Sequence, residues 1–392
     1  MYLDRSYRPR RSRGKGRFLW PVVILAVIGI ILYEQQPTWL IPQQIQPTPV
    51  PTRSAIAYLA DAEDALAVAD YDGAISAFLE MARLEPGNAT PLARLSELYL
   101  LFQDLPRSLQ YAEQAYALAP EDPDVLTAYA RIADWTADYE TALNIALDSL
   151  EIDPDNASTL AVLAEVYTDV GNWSVAQDYL DQAFAIDADN VLSWRNQAYL
   201  YERQGEYEEA ITAYDRAIEL APNRFDLYIE RGRQLRIGLL DYEGANENYR
   251  QAVEVYESAQ TLDALGFGLY NIGDHLQAVR VLRDAVDLDP TYGPAQVHLG
   301  MALYARRNYE DAAPALETGI QLLGDKARIE HIYTLGLANI YKDPPDCEKA
   351  DLWLRKALEI DPESGPALEG LALCARSGAT LNSGRTVAAT LP

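Results

Sequence analysis

The stretch Val191–Arg224, VLSWRNQAYLYERQGEYEEAITAYDRAIELAPNR, decides the fold. Trp194, Ala198 and Tyr201 recur at i, i+4, i+7, the spacing that lays one apolar stripe along a helix, and Gly205 marks that helix's end. Ala210, Tyr214 and Ala217 repeat the spacing in a second helix. Pro222 closes it, because a ring nitrogen has no N–H with which to continue the ladder. Large residues alternate with small ones, as two closely crossing helices require: little at the crossing point, bulk on either side. One hairpin of this size leaves its outer faces bare. It needs neighbours.

The chain supplies them at a period of 34 residues. The small residue of each first helix falls at Ala62, Ser96, Ala130, Ala164, Ala198, Gly232, Gly266, Gly300 and Gly336. That of each second helix falls at Ala74, Ser108, Ala142, Ala176, Ala210, Ala245, Ala278, Ala312 and Ala350. Prolines close the unit at Pro86, Pro120, Pro154, Pro222, Pro290 and Pro362. This pattern of Trp, Tyr, Ala and Pro resembles the tetratricopeptide repeat family, and residues 191–224 match it best. The resemblance covers residues 55–364 as nine units: 55–88, 89–122, 123–156, 157–190, 191–224, 225–258, 259–292, 293–326 and 329–364. It implies an all-α chain, a right-handed α-α superhelical solenoid whose concave face holds extended peptides. Three units depart from the pattern. The sixth has an extra residue before Ala245 and no closing proline, and the eighth carries Pro314 inside its second helix, where it should strain or kink the helix. The ninth has a longer turn, Lys342 to Cys347.

The 392 residues are 49% hydrophobic, enough for a large core, which in a solenoid is a ribbon shared between neighbours. Net charge is −27, unevenly placed. Residues 1–53 hold eight Lys/Arg against two Asp/Glu, leaving −33 on residues 54–392. So acidic a body repels phosphates and argues against nucleic acid as a partner. The plain reading of most of that charge is a solvated outer face.

Residues 1–17 form a basic arm, and residues 18–33, FLWPVVILAVIGIILY, contain no charge. Sixteen residues are slightly short of the ~20 that span a bilayer. Arg17 can snorkel at one end, however, and Trp20 and Tyr33 suit the interface. Glu34-Gln35-Gln36-Pro37 replaces a small-residue cleavage site, so the expectation is an uncleaved transmembrane anchor. Positive charge before it places the N-terminus in the cytoplasm and the repeats outside. Residues 34–54, rich in proline, read as an extended spacer. Residues 365–378 read as a capping helix over the last open face, and 379–392 as a disordered tail.

Enzymatic chemistry finds little support. His275, His298 and His331 show no i, i+4 pairing and occupy repeat positions open to surface residues. There is no phosphate-binding glycine loop, nucleophile elbow or paired CxxC, so no catalytic residue, metal or cofactor is expected. Cys347, in the last repeat's turn, and Cys374, near the end of the capping helix, should lie toward one edge of the solenoid. Outside the cytoplasm they could form a disulfide, worth about 3 kcal/mol by loop entropy, or stay as buried thiols.

The sharpest expectation concerns the groove. Arg195, Tyr199 and Glu202 lie one step round the helix from the Trp194 stripe, on the face that the resemblance assigns to peptide binding. The same positions give Glu63, Glu97, Glu165 and Asp169 early, then Arg195, Arg203, Arg233 and Arg236. Phe267, Tyr270, Met301, Tyr304, Tyr333 and Tyr341 follow at the far end. Guanidinium forks suit a carboxylate or acidic segment, and the aromatic end suits apolar side chains. The competing reading is that the arginines pair with Glu202, Asp226 and Asp263 on adjacent helices. The Lys/Asn carboxylate clamp known in the family is not recognisable, since Asn196 alone is insufficient. The expected function is therefore a membrane-tethered adaptor for protein or peptide partners outside the cytoplasm. A secretion-associated chaperone and an acidic cation-binding spacer are the alternatives.

Overall fold

The structure, a computed structural model, describes residues 19–34 and 53–376. The basic arm, most of the proline spacer and the tail lie outside the described residues. The chain divides into two units, 1–53 and 54–392. In the first, α1 (Leu19–Glu34) holds 16 residues, about 24 Å of rise. This is shorter than the ~30 Å of a bilayer's hydrocarbon, and no helix among the described residues is long and apolar enough to cross a membrane.

The second unit is helical throughout its described length, with nine hairpins and a final helix. The hairpins, repeats 1–9, are α2 (Ala55–Ala67) with α3 (Tyr71–Leu84), α4 (Thr90–Leu101) with α5 (Leu105–Leu118), and α6 (Pro123–Trp135) with α7 (Tyr139–Ile152). Next come α8 (Ala157–Asp169) with α9 (Trp173–Ile186), α10 (Val191–Gln204) with α11 (Tyr207–Leu220), and α12 (Phe225–Ile237) with α13 (Tyr242–Val255). The last three are α14 (Ala259–Asn271) with α15 (His275–Leu288), α16 (Gly293–Ala305) with α17 (Tyr309–Leu323), and α18 (Ile329–Tyr341) with α19 (Cys347–Ile360). The cap α20 (Gly365–Arg376) packs on α18 and α19.

Each turn inside the first eight hairpins is built the same way. One residue adopts a left-handed conformation (Ala69, Gln103, Ala137, Gly171, Gly205, Leu240, Gly273, Arg307), and the next residue caps the second helix. Asp70, Asp104, Asp138, Asp241 and Asp274 each accept a hydrogen bond from the amide three residues on, satisfying a donor that the helix start leaves bare. The extra residue of the sixth repeat is absorbed in this turn. Leu240 becomes the left-handed residue, and Asp241 still caps. Pro314 does not break α17, which runs on to Leu323 as one helix.

Both small-residue columns are buried at the helix crossings. In repeat 2 the two small residues are serines, and Ser108 Oγ donates to the Ser96 carbonyl at 2.8 Å. In repeats 6–9 the first-helix residue is glycine, because a Cβ there would lie 2.6 Å from the Tyr249 ring, 2.5 Å from Leu282, 2.5 Å from Leu316 or 2.6 Å from Leu354.

First helices of neighbouring hairpins touch one another (α4 with α6, α6 with α8, α8 with α10, α14 with α16), which puts them on the inner side of the curve. The curve is tight enough to close. Tyr71 of repeat 1 donates its hydroxyl to the Asn223 carbonyl at 2.8 Å, and the Asn223 side-chain amide returns a hydrogen bond to the Leu66 carbonyl. The Tyr71 ring meets Phe102, Phe225 and Tyr256 edge-on at 5.8, 5.3 and 4.9 Å. One apolar core joins repeats 1 and 2 to Phe225 and Ala252 of repeat 6. Repeats 1–6 thus form a ring, and repeats 7–9 continue from it.

Candidate functional site

The inner wall of the ring is stitched by alternating charges from four successive first helices. Arg195 (α10) is 5% exposed and forks onto Glu230 (α12), with Nη2 2.7 Å from Oε1 and Nε 3.0 Å from Oε2. Its Nη1 donates to Glu165 of α8. Glu165 also accepts from the Trp135 indole at 3.0 Å and lies 3.5 Å from Arg131, both on α6. Burial alone would raise the Glu230 carboxyl, but Arg195, backed by Arg233 and Arg224, pulls it down to about 2. Glu165 is held below the usual range in the same way, burial being outweighed by Arg195 and Arg131. Neither acid releases its arginine at neutral pH.

The arginines of the expected groove are engaged to different degrees. Arg195 is locked between Glu165 and Glu230, so an incoming carboxylate would have to displace two buried partners. Arg233 reaches Glu202 at 3.1 Å, as the pairing reading has it. Asp226 is taken by Arg224 and Asp263 by His298, both outside the expected set. Arg236 stands over the Phe267 ring at 5.2 Å. Arg203 is exposed and makes no ion pair with a described residue. Tyr199 donates its hydroxyl to Asp169, and burial followed by that carboxylate pushes the phenol up, so it stays a donor.

Beneath these pairs the wall encloses a cavity of about 350 Å³. Asp134 of α6 lines it, 3% exposed, and neither carboxyl oxygen finds a donor. Burial, then the charges of Glu165 and Asp169, push its carboxyl up to about 9. Sequence reading missed Asp134 and Glu230, since nothing local distinguishes them from the many surface acids.

The far end differs. Phe267 stacks on Tyr270 at 6.0 Å and on His298 at 4.1 Å, and His298 Nδ1 donates to the Asp263 carboxylate at 2.7 Å. His331 stands edge-on to His298 at 6.3 Å. The expectation that the histidines face surface positions fails for His331, which is buried, and its pKa falls to about 4 through burial and then His298 and Arg328. Tyr304 and Tyr341 gather around Tyr309, a ring the sequence reading passed over, at 5.4 and 5.3 Å. Met301 and Tyr333 are half-buried against the core below them. Cys347 and Cys374 are joined by a disulfide, with Cα atoms 5.7 Å apart, tying α19 to the cap. Among the described residues no cluster of His, Cys, Asp and Glu could hold a metal ion.

Residues 191–224 and residues 264–322 each match a tetratricopeptide repeat model. TPR repeat-containing protein YpiA of Bacillus subtilis (strain 168) is 25% identical over 279 residues, 70% of this chain and 64% of that protein. Protein CTR9 homolog of Arabidopsis thaliana is 30% identical over 159 residues, 38% of this chain and 14% of that one. Among solved structures, a chain of the APC/C hetero-tetramer Cut9-Hcn1 superposes with a TM-score of 0.60 at 20% identity, covering 77% of this chain and 59% of that one. That likeness concerns the fold alone, and this chain spans less than two thirds of each of the three. Repeated helical hairpins, two family models and these relatives together support the tetratricopeptide repeat family for this chain.

Proposed function

We propose that this protein is a membrane-tethered adaptor that captures a protein partner on the inner face of repeats 7–9, outside the cytoplasm. Tetratricopeptide repeats mediate protein–protein interactions, and the scaffold is generally non-enzymatic. The observation that carries the choice of surface is the aromatic row itself. Phe267, Tyr270, Tyr304 and Tyr333 are half-buried and Tyr341 is 45% exposed, whereas Arg195 and Arg233 of the ring are already engaged. Half-covered aromatic rings supply large contact area at low entropic loss, as interface anchors do.

The tether rests on the sequence: an uncharged run at residues 18–33 behind a basic arm. Because α1 rises only about 24 Å, the flanking side chains must reach the headgroups or the bilayer must thin locally. Alkaline carbonate extraction tests this part, and release of the full chain into the soluble fraction would overturn it. For the surface, crosslinking in membranes followed by mass spectrometry identifies partners of the wild type and of the Tyr333→Ala, Tyr341→Ala double variant. Loss of those partners with little change in melting temperature is expected. An unchanged partner set would remove repeats 7–9 from consideration.

A further inference from the structure

Among the described residues, closing the ring leaves one buried acid of its inner wall with neither a counter-charge nor a hydrogen-bond donor. Glu165 and Glu230 share Arg195, Asp226 has Arg224, and Asp169 has the Tyr199 hydroxyl. Asp134 has neither an ion pair nor a hydrogen-bond donor, although it is 97% removed from solvent (3% exposed) and lines the central cavity. An unmatched carboxyl so placed is either a standing penalty or half of a contact whose other half is supplied from outside.

We propose that this cavity receives a basic side chain, a lysine ammonium or an arginine guanidinium presented by a partner protein, seated against Asp134 and Asp169. The size is suitable. About 350 Å³ lies at the small end of ligand pockets, roughly 300–1,000 Å³, and admits a single side chain rather than an extended segment. The walls also suit a cation. The rings of Trp135 and Tyr139 line the cavity beside the two carboxyls, and aromatic faces attract ammonium and guanidinium groups. Gln103 and Ala137, both exposed, sit at its edge and give a route from solvent.

The charge around Asp134 is nearly balanced while its proton stays on. Arg131 shares its helix, Glu165 and Asp169 face it from α8, and Arg195 and Tyr199 from α10. Asp226, Glu230 and Arg233 approach from α12, while Tyr139 and the more distant Arg203 complete the field. An entering cation takes the proton's place, and Asp134 ionises against it. Burial and the neighbouring carboxylates raise Asp134 to about 9, so near pH 7 binding must release close to one proton. Affinity should then climb about tenfold per pH unit from pH ~7 toward ~9, the ligand itself staying charged over that range.

The test is calorimetric titration of the full-length protein with a blocked glycine–lysine–glycine tripeptide, its arginine counterpart and a norleucine reference. It is run in two buffers of different ionisation enthalpy, which counts the protons released. At least one basic tripeptide should bind about tenfold or more tighter than norleucine with release of nearly one proton, and Asp134→Asn should abolish that release and weaken binding about tenfold. Equal binding of norleucine, no proton release by the wild type, or unchanged binding by Asp134→Asn would each overturn the proposal. If the variant does not fold, the wild-type proton count decides alone. The aromatic row of repeats 7–9 is untouched by this experiment, so the two sites stand or fall separately.

Discussion

Repeats 1–6 and repeats 7–9 are cut from one template yet end up as different objects. In the first group the inner wall folds onto itself: Tyr71 reaches Asn223, and four aromatic rings from repeats 1, 2 and 6 fill the seam. In the second, the equivalent wall keeps half-covered rings and histidines. The crossings differ too. Repeats 3–5 carry alanine where repeats 6–9 carry glycine, so the later hairpins approach so closely that no Cβ fits. Nearest-neighbour stacking therefore fixes only part of a solenoid's shape. A few residues outside the repeat consensus decide whether the curve closes.

The seam is where this contrast breaks most easily. Phe225 is fully buried between Tyr71, Phe102 and Tyr256, so Phe225→Ala should destabilise by about 3–5 kcal/mol. It should also increase the radius of gyration as the ring opens, and urea titration with small-angle scattering reads both. Next in size is Asp134→Asn, which should stabilise by about 2–4 kcal/mol near pH 7, because the wild type holds a buried acid raised to about 9. The sign follows from the direction of the shift. A carboxyl raised on folding contributes fully below its unfolded pKa and loses that contribution as pH rises toward the folded value, so the gap between variant and wild type should shrink toward pH ~4. Thermal melts across that range check it.

At the crossings, Gly300→Ala should cost about 1–3 kcal/mol, since the new Cβ would lie 2.5 Å from Leu316 Cγ and 2.9 Å from its backbone nitrogen. The smallest effect is expected at the turns. Ala137 holds φ +61°, where a Cβ is disfavoured by about 1 kcal/mol, and Ala137→Gly should raise stability by less than that once glycine's added chain entropy is subtracted. Chemical denaturation of both variants places them on one scale.

Most of the hairpin array was legible because its signals are local and repeated. The columns at Ala62 to Gly336 and Ala74 to Ala350 fix which faces meet, and the small residues there are the buried ones. The left-handed turn position was harder to see, since Ala69, Gln103, Ala137, Leu240 and Arg307 carry no compositional mark of that conformation. The ring itself escaped notice, although the register held a clue. Tyr256 caps its helix where Ala221 and Asp289, each just before a closing proline, cap theirs, and Phe225 heads its helix where Ala157, Val191, Ala259 and Gly293 head theirs. Read as lapses in a consensus, those two residues look like decay. Read as side chains, they are the glue. Arg195 was placed on the correct wall, but its partners Glu165 and Glu230 sit 30 and 35 residues away on other helices, and single-helix periodicity is blind to such charges.

The link between Tyr71 and Asn223, 152 residues apart, also changes how the chain can come apart. An open row of hairpins unravels from its ends one unit at a time, because each unit answers only to its neighbours. Joining repeat 1 to repeat 6 removes one of those ends. Hydrogen exchange should therefore find repeats 1–6 opening as one cooperative block, while the disulfide at the other terminus restrains a segment that would otherwise fray first.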